Sequence, residues 1–290
     1  MRPIGGTYTR SMTTAGMIDG ESVEYLLRPG GRRLAVLFHG GHMRAELDIG
    51  QNVFLDAGCS ILQPSRPGYG RTPLEAGPDP AAFSDRIALL CKTLGYDDVV
   101  AVGVSAGGRT AMTFAERHPH LVTGLILESS TSFLPWPGRF TRIVARVAFR
   151  PRIERVTWAL TRYAFAALPG AMLRVMLSSL STLPARTAYA RLQVEDRAKL
   201  AGLLSRMRSG SGFSNDLREP VGTIPSPAQP TLIVASRNDA AVGPEHPQAL
   251  AAQLRNSTLV MTDSVSHFLW IGPHADDEER AVARFLGDLS

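Results

Sequence analysis

Cysteine is nearly absent from this chain, with Cys59 and Cys91 the two thiols in 290 residues. Two cysteines so spaced supply neither a disulfide framework nor the paired ligands of a metal site. Lysine is as scarce and occurs only at Lys92 and Lys199. No apolar run approaches the ~18 residues that cross a bilayer. Residues 1–20 hold two arginines but lack the apolar stretch of a secretory signal. With 44% hydrophobic and 20% charged residues, the composition is too apolar for a disordered chain. These absences leave one large globular domain, or one domain with a sizeable insertion, in a reducing cytoplasm. They leave monomer and homodimer equally open.

What the chain does have is arginine, unevenly placed. The net charge is +5, yet residues 139–191 hold ten arginines against one acid, Glu154. The basicity is therefore local. Short aliphatic runs recur at 33–38, 60–62, 99–104, 121–127, 231–235 and 258–261, bounded by Gly, Pro, Ser or Asp. Continuous rather than alternating apolar character predicts strands buried on both faces. Helical stretches lie between them. Residues 81–94 put Phe83, Ile87, Leu90 and Leu94 on one side, and 106–118 follows a strand directly. Strand and helix in alternation predict an α/β, doubly wound, mostly parallel sheet. Residues 22–27 partly alternate and are expected to form an antiparallel edge hairpin with what precedes them.

The alternation stops near 133 and resumes near 218. Between these points the pattern is helical, broken at Pro151, Pro169-Gly170 and Pro184. Phe140, Ile143, Val144 and Val147 form one apolar stripe beside Arg139, Arg142, Arg146 and Arg150. Met172, Leu173, Met176, Leu177 and Leu180 form another. A Ser209-Gly210-Ser211-Gly212 stretch, read as flexible, and a proline-rich linker lead back to strand character at Thr231. The expected division is a core of residues 1–133 and 217–290 with a helical cap at 134–216.

The chemistry centres on Gly103-Val104-Ser105-Ala106-Gly107, which fits G-x-S-x-G between a predicted strand and a predicted helix. A serine there must turn sharply in a strained backbone to lift its hydroxyl above the sheet, and glycine is needed at 103 and 107 to avoid collision. The hydroxyl needs a base. Among seven histidines, His267 stands just after the last predicted strand and is the candidate, with His274 the rival at the start of the final helix. An imidazole base is lost as pH falls through roughly 6–7. The imidazolium needs a carboxylate, and Asp239 ends the strand at 231–235, with Glu128 as the alternative. The oxyanion needs preplaced N–H donors. Ala106, next after the serine, and Gly41, in the His39-Gly40-Gly41-His42 loop, are expected to supply them. The bare Gly41 would let substrate approach, while His39 braces the loop.

The order Ser105, Asp239, His267, together with Ser65-Arg66-Pro67-Gly68-Tyr69-Gly70, resembles the α/β-hydrolase superfamily over residues 33–127 and from 230 onward. Many members carry aspartate where this chain has Ser65. The resemblance implies an α/β-hydrolase fold with a helical cap over the site. It also implies a serine hydrolase of carboxylic esters that works through an acyl-enzyme, requires no metal or organic cofactor, and takes a small, hydrophobic acyl substrate. A serine rather than an aspartate nucleophile argues against the haloalkane dehalogenase and epoxide hydrolase branches. The alternatives are an amide or carbon–carbon bond hydrolase on the same residues, and a low-turnover ligand receptor. The methionine and leucine stripes are read as cap core. The arginine stripe is read as a solvated face, with attraction to an anionic lipid surface or an anionic substrate as its alternative; nucleic acid is not expected, because no reading motif accompanies the charge.

Overall fold

A computed structural model describes residues 13–77, 79–150, 152–218 and 225–289. In chain order the strands are β1 (Thr14–Ile18), β2 (Glu21–Arg28), β3 (Leu34–Phe38), β4 (Ser60–Pro64), β5 (Val99–Val104), β6 (Val122–Glu128), β7 (Thr231–Ser236) and β8 (Ser257–Thr262). They form one sheet in the order β1-β2-β4-β3-β5-β6-β7-β8. The β1–β2 and β2–β4 pairs are antiparallel and the rest are parallel. The expected edge hairpin is present. It turns on Asp19-Gly20, both at positive φ, the conformation whose twist suits a two-residue hairpin.

Every residue of β3, β4, β5 and β7 is buried, which is why these strands read as unbroken apolar runs. Alternation survives only as a choice between two cores. Ala35, Leu37, Val100 and Val102 face α1 (Asn52–Asp56) and α11 (Ala275–Asp288). Leu34, Val36, Val99 and Ala101 face α2 (Pro80–Thr93), α3 (Gly107–Arg117) and α10 (Glu245–Gln253). At ~1.5–3 kcal/mol for each buried aliphatic side chain, a one-residue slip would be costly on both faces at once. The α2 start is capped by Asp79, whose carboxylate accepts from the Ala82 amide at 2.9 Å, with Pro80 in the first turn.

Between β6 and β7 come α4 (Arg139–Ala148), α5 (Glu154–Ala167), α6 (Pro169–Leu180), α7 (Ala185–Arg191), α8 (Val194–Ser205) and α9 (Gly212–Asp216). Leu173 and Leu177 of α6 are buried with Trp158 and Phe165 of α5 and with Leu200 and Leu204 of α8. Of the apolar stripe on α4, Ile143 and Val147 are exposed, and the small Ala145 on the opposite side packs near Phe213 and Trp136. The side chains of Phe140, Val144, Arg139 and Arg146 lie outside the described residues. One expectation for this segment needs correction, the flexibility of residues 209–212. The 209–212 stretch is not a flexible joint. Ser209 is fully buried, and the amides of Ser211 and Gly212 both donate to the Gly68 carbonyl at 3.1 Å. A side chain at Gly210 would strike that same carbonyl, so glycine is there for close packing. Among the described residues no helix is long and apolar enough to cross a membrane.

Candidate active site

Ser105 occupies the turn between β5 and α3 with φ at +53°. That left-handed conformation costs about 1–2 kcal/mol in a residue with a side chain. Three backbone hydrogen bonds hold it: the Ser105 amide donates to the Glu128 carbonyl (3.0 Å), while the Ser105 carbonyl accepts from the amides of Gly108 (3.1 Å) and Thr131 (3.2 Å). The two motif glycines are confined differently, Gly103 across the turn and Gly107 against the end of β3. A Cβ at Gly103 would lie 2.5 Å from the Gly108 Cα, and one at Gly107 would lie 2.0 Å from the Phe38 carbonyl oxygen. Gly108, which the motif does not require, is equally confined, since its Cβ would overlap the Ser130 hydroxyl.

His267 follows β8 and Asp239 follows β7, adjacent parallel strands whose ends place both loops together. His267 Nδ1 lies 2.7 Å from Asp239 Oδ2, with both side chains buried. The other oxygen, Asp239 Oδ1, accepts from the amides of Ala241 (2.8 Å) and Val242 (2.9 Å). The carboxylate is thus held on both sides, and Nδ1–H is the tautomer it selects, which leaves Nε2 of His267 as the free acceptor. Glu128 is not part of this pair. Its carboxyl meets Glu278 of α11, and burial pushes it up to about 7 while Glu278 is raised too. His274 sits half-exposed at the start of α11, 3.2 Å from Asp277.

Ser105 and His267 both line one cavity of about 520 Å³. Its walls include Gly40, Gly41, His42 and Met43 from the loop after β3, Trp158 from α5, Met176 and Leu180 from α6, Phe213 from α9, and Phe268. No Asp, Glu, Lys or Arg lines it among the described residues. Neither the Gly41 nor the Ala106 amide has a hydrogen-bond partner among the described residues. Gly40 is the residue that crowds the nucleophile, since a Cβ there would come within 2.9 Å of the Ser105 Cβ. The space over Gly41 is filled by the Phe213 ring, 2.9 Å from where a Cβ would stand. Its missing side chain therefore admits that ring, and the expected purpose of close substrate approach is corrected accordingly.

Buried His39 shapes this loop. Its Nε2 accepts from the Arg66 amide (2.9 Å), so its Nδ1–H donates to the Gly40 carbonyl (2.8 Å). Burial and the nearby Arg66 guanidinium hold the ring well below the usual imidazole range, hence neutral. Arg66 in turn donates to the His39 carbonyl and forms a two-pronged ion pair with Asp216 of α9 (2.8 and 2.7 Å), which also accepts from the Tyr69 hydroxyl. Ser65 donates to the Glu24 carboxylate at 2.7 Å and accepts from the Ala45 amide. Glu24 on β2 thus brings a carboxylate to this loop, and Ser65 is not among the residues that line the cavity.

Two features escaped the sequence reading. His42 has φ at +64° and packs against Phe213, with ring centroids 3.9 Å apart. Ser209 accepts from the Trp158 indole N–H (2.7 Å); its fully buried hydroxyl has no acceptor among the described residues besides His42 Nδ1 (2.8 Å), which assigns the hydroxyl proton to that contact and the ring proton to Nε2. Burial lowers His42 to about 3, so this donor stays neutral on the cavity wall. The second feature is the end of α6. The Leu180 carbonyl accepts from the His267 amide (2.9 Å), Ser181 bridges to Asp239, and its hydroxyl donates to the Val265 carbonyl (2.6 Å). These contacts span 58 to 87 positions, a separation at which no local pattern could have disclosed them.

Comparison with known proteins agrees with this architecture. A family profile described as alpha/beta hydrolase fold matches residues 36–272. An uncharacterized hydrolase, YcgS, of Bacillus subtilis is 31% identical over 92% of this chain and 96% of its own length. A pimeloyl-[acyl-carrier protein] methyl ester esterase of Aromatoleum aromaticum is 38% identical over 35% of this chain and 42% of its own. An alpha/beta hydrolase fold protein from Nakamurella multipartita superposes with a TM-score of 0.76 at 22% identity, covering 95% of this chain and 99% of that one.

Proposed function

Because the chain belongs to the α/β-hydrolase family, we propose that it is a serine hydrolase cleaving a carboxylic ester of an uncharged, apolar acid. The observation that carries this reading is the shared cavity. Ser105 stands on a strained turn in its wall, together with an imidazole whose far nitrogen is engaged by a buried carboxylate. In the proposed reaction His267 Nε2 takes the Ser105 proton as Oγ attacks the ester carbon, and the amides of Gly41 and Ala106 hold the oxyanion. Collapse expels the alcohol, which leaves with the proton from His267. Water, deprotonated by the same nitrogen, then attacks the acyl-enzyme and releases the acid.

The cavity wall supports the neutral-substrate part of this reading. A peptide amine would call for a carboxylate there, and a substrate carboxylate would call for a cation; the described wall carries neither. His42 Nε2–H is then available to a substrate oxygen, and the apolar remainder suits an acyl chain or aromatic group. The test is labelling with a fluorophosphonate probe together with turnover of p-nitrophenyl esters. Both are expected in the native chain and both vanish in Ser105→Ala. Labelling that persists in that variant removes Ser105 from the role.

A further inference from the structure

We propose that the outer face of α5, with the corner into α6, is a docking surface for an anionic lipid bilayer. Val156, Leu160 and Tyr163 are spaced four and three apart and so share one face of α5. With Leu168 at the corner and Val175 on α6 they are between 58% and 75% exposed. The opposite face of α5 already buries Trp158 and Phe165. The helix is anchored without its outer stripe, and five large apolar side chains on consecutive elements are left mostly exposed among the described residues.

Charge names the occupant. Arg150, Arg152, Arg155, Arg162 and Arg174 are exposed around this stripe. The one acid of residues 139–191, Glu154, is buried, where Arg208 (3.2 Å) and the Ser209 amide (3.4 Å) donate to it. Every exposed charge described between 142 and 191 is therefore positive. A nucleic acid would pair with the arginines and leave the apolar stripe wet. A second copy of this chain would set one group of arginines against another. A bilayer with anionic headgroups above an apolar interior complements both features.

The arrangement also bears on the proposed substrate, a consequence that rests on the ester-hydrolase reading. Trp158, on the inner face of α5, lines the cavity, so bilayer and cavity would lie on opposite sides of one helix, about 10 Å thick. Ser178 and Ser179 are exposed on α6 and line the cavity as well, which puts a rim beside the docked face.

Vesicle flotation tests the proposal with phosphatidylcholine alone and with added phosphatidylglycerol, at low and high salt. The native chain is expected to float only with the anionic vesicles and only at low salt. Partitioning is expected to fall about tenfold or more in Val156→Ser/Leu160→Ser/Tyr163→Ser and likewise in Arg152→Gln/Arg155→Gln/Arg162→Gln. An unchanged melting temperature and unchanged hydrolysis of a soluble short ester show that both variants are folded. Equal binding to both vesicle types, or undiminished binding by either variant, overturns the proposal. So does a stable dimer in light scattering that the apolar variant dissociates, since a second copy would then be the occupant. Probe labelling of Ser105 is read separately, so failure of the ester reading leaves the vesicle result interpretable.

Discussion

Around Ser105 the backbone has no freedom: Gly103, Gly107 and Gly108 are each pressed by a neighbour that a Cβ would overlap. In residues 139–216 such crowding is found at Gly210 and Gly212, where the segment meets Gly68 and Tyr69. Gly202 faces open space, and apolar side chains appear on both sides of α4 and α5. The turn is governed by sterics within a few residues and the strand beneath them. The helical segment is governed by what it meets far away, chiefly Arg66 through Asp216 and the loops of Asp239 and His267 through the end of α6. A short motif can therefore specify a nucleophile turn, whereas hydrophobic periodicity alone cannot say which side of a covering helix is inside.

The sharpest way to separate the regions is function. Ser105→Ala is expected to lower ester turnover by about 10⁴-fold or more with little change in fold, checked by kinetics beside circular dichroism. Next comes the clamp that joins them. Asp216→Ala removes the carboxylate that faces the buried Arg66 guanidinium, and urea unfolding should show a loss of about 3–5 kcal/mol. If that variant unfolds like the native chain, the clamp does not bind the two regions. Gly107→Ala tests the turn itself. With the Phe38 carbonyl only 2.0 Å from the new methyl, about 1–3 kcal/mol or more should be lost, together with probe labelling.

A smaller effect concerns the carboxyl pair below the turn. Glu128 and Glu278 hold a proton in the folded state at a pH where the unfolded carboxyls have released it. The unfolded chain then binds fewer protons, so stability is full below about pH 4.5 and declines as pH rises toward 7. Glu278→Gln should lessen that decline and raise stability at pH 8 by an amount on the order of 1–3 kcal/mol, read as a higher melting temperature. Unchanged melting at pH 8 would mean the pair is already relieved by solvent. Smallest of all, Leu160→Ser on the outer face of α5 should alter unfolding by no more than ~0.5 kcal/mol. A loss resembling a core substitution would show that the stripe is covered.

The sheet was legible because burial on both faces writes itself as runs such as residues 99–104 and 231–235, and the hairpin because residues 22–27 partly alternate. The candidate site was legible where local rules apply, as at the serine turn, and where a residue must follow a strand end, as for Asp239 and His267. The Ser65 substitution was visible but its compensation was not, because Glu24 reaches it from β2, 41 positions away. Likewise His42 stood beside a recognised glycine pair, yet its tautomer depends on Ser209 and Trp158.

From its order of residues alone this chain determined a parallel sheet and a serine on a strained turn, since those depend on side-chain period and on clashes between near neighbours. Only tertiary structure decided which face of the covering helices is wet, where the proton on His42 resides, and that Ser181 joins the Asp239 loop through its backbone and the His267 loop through its hydroxyl. Such outcomes depend on burial and on hydrogen bonds between distant segments, and neither quantity exists until the chain has closed on itself.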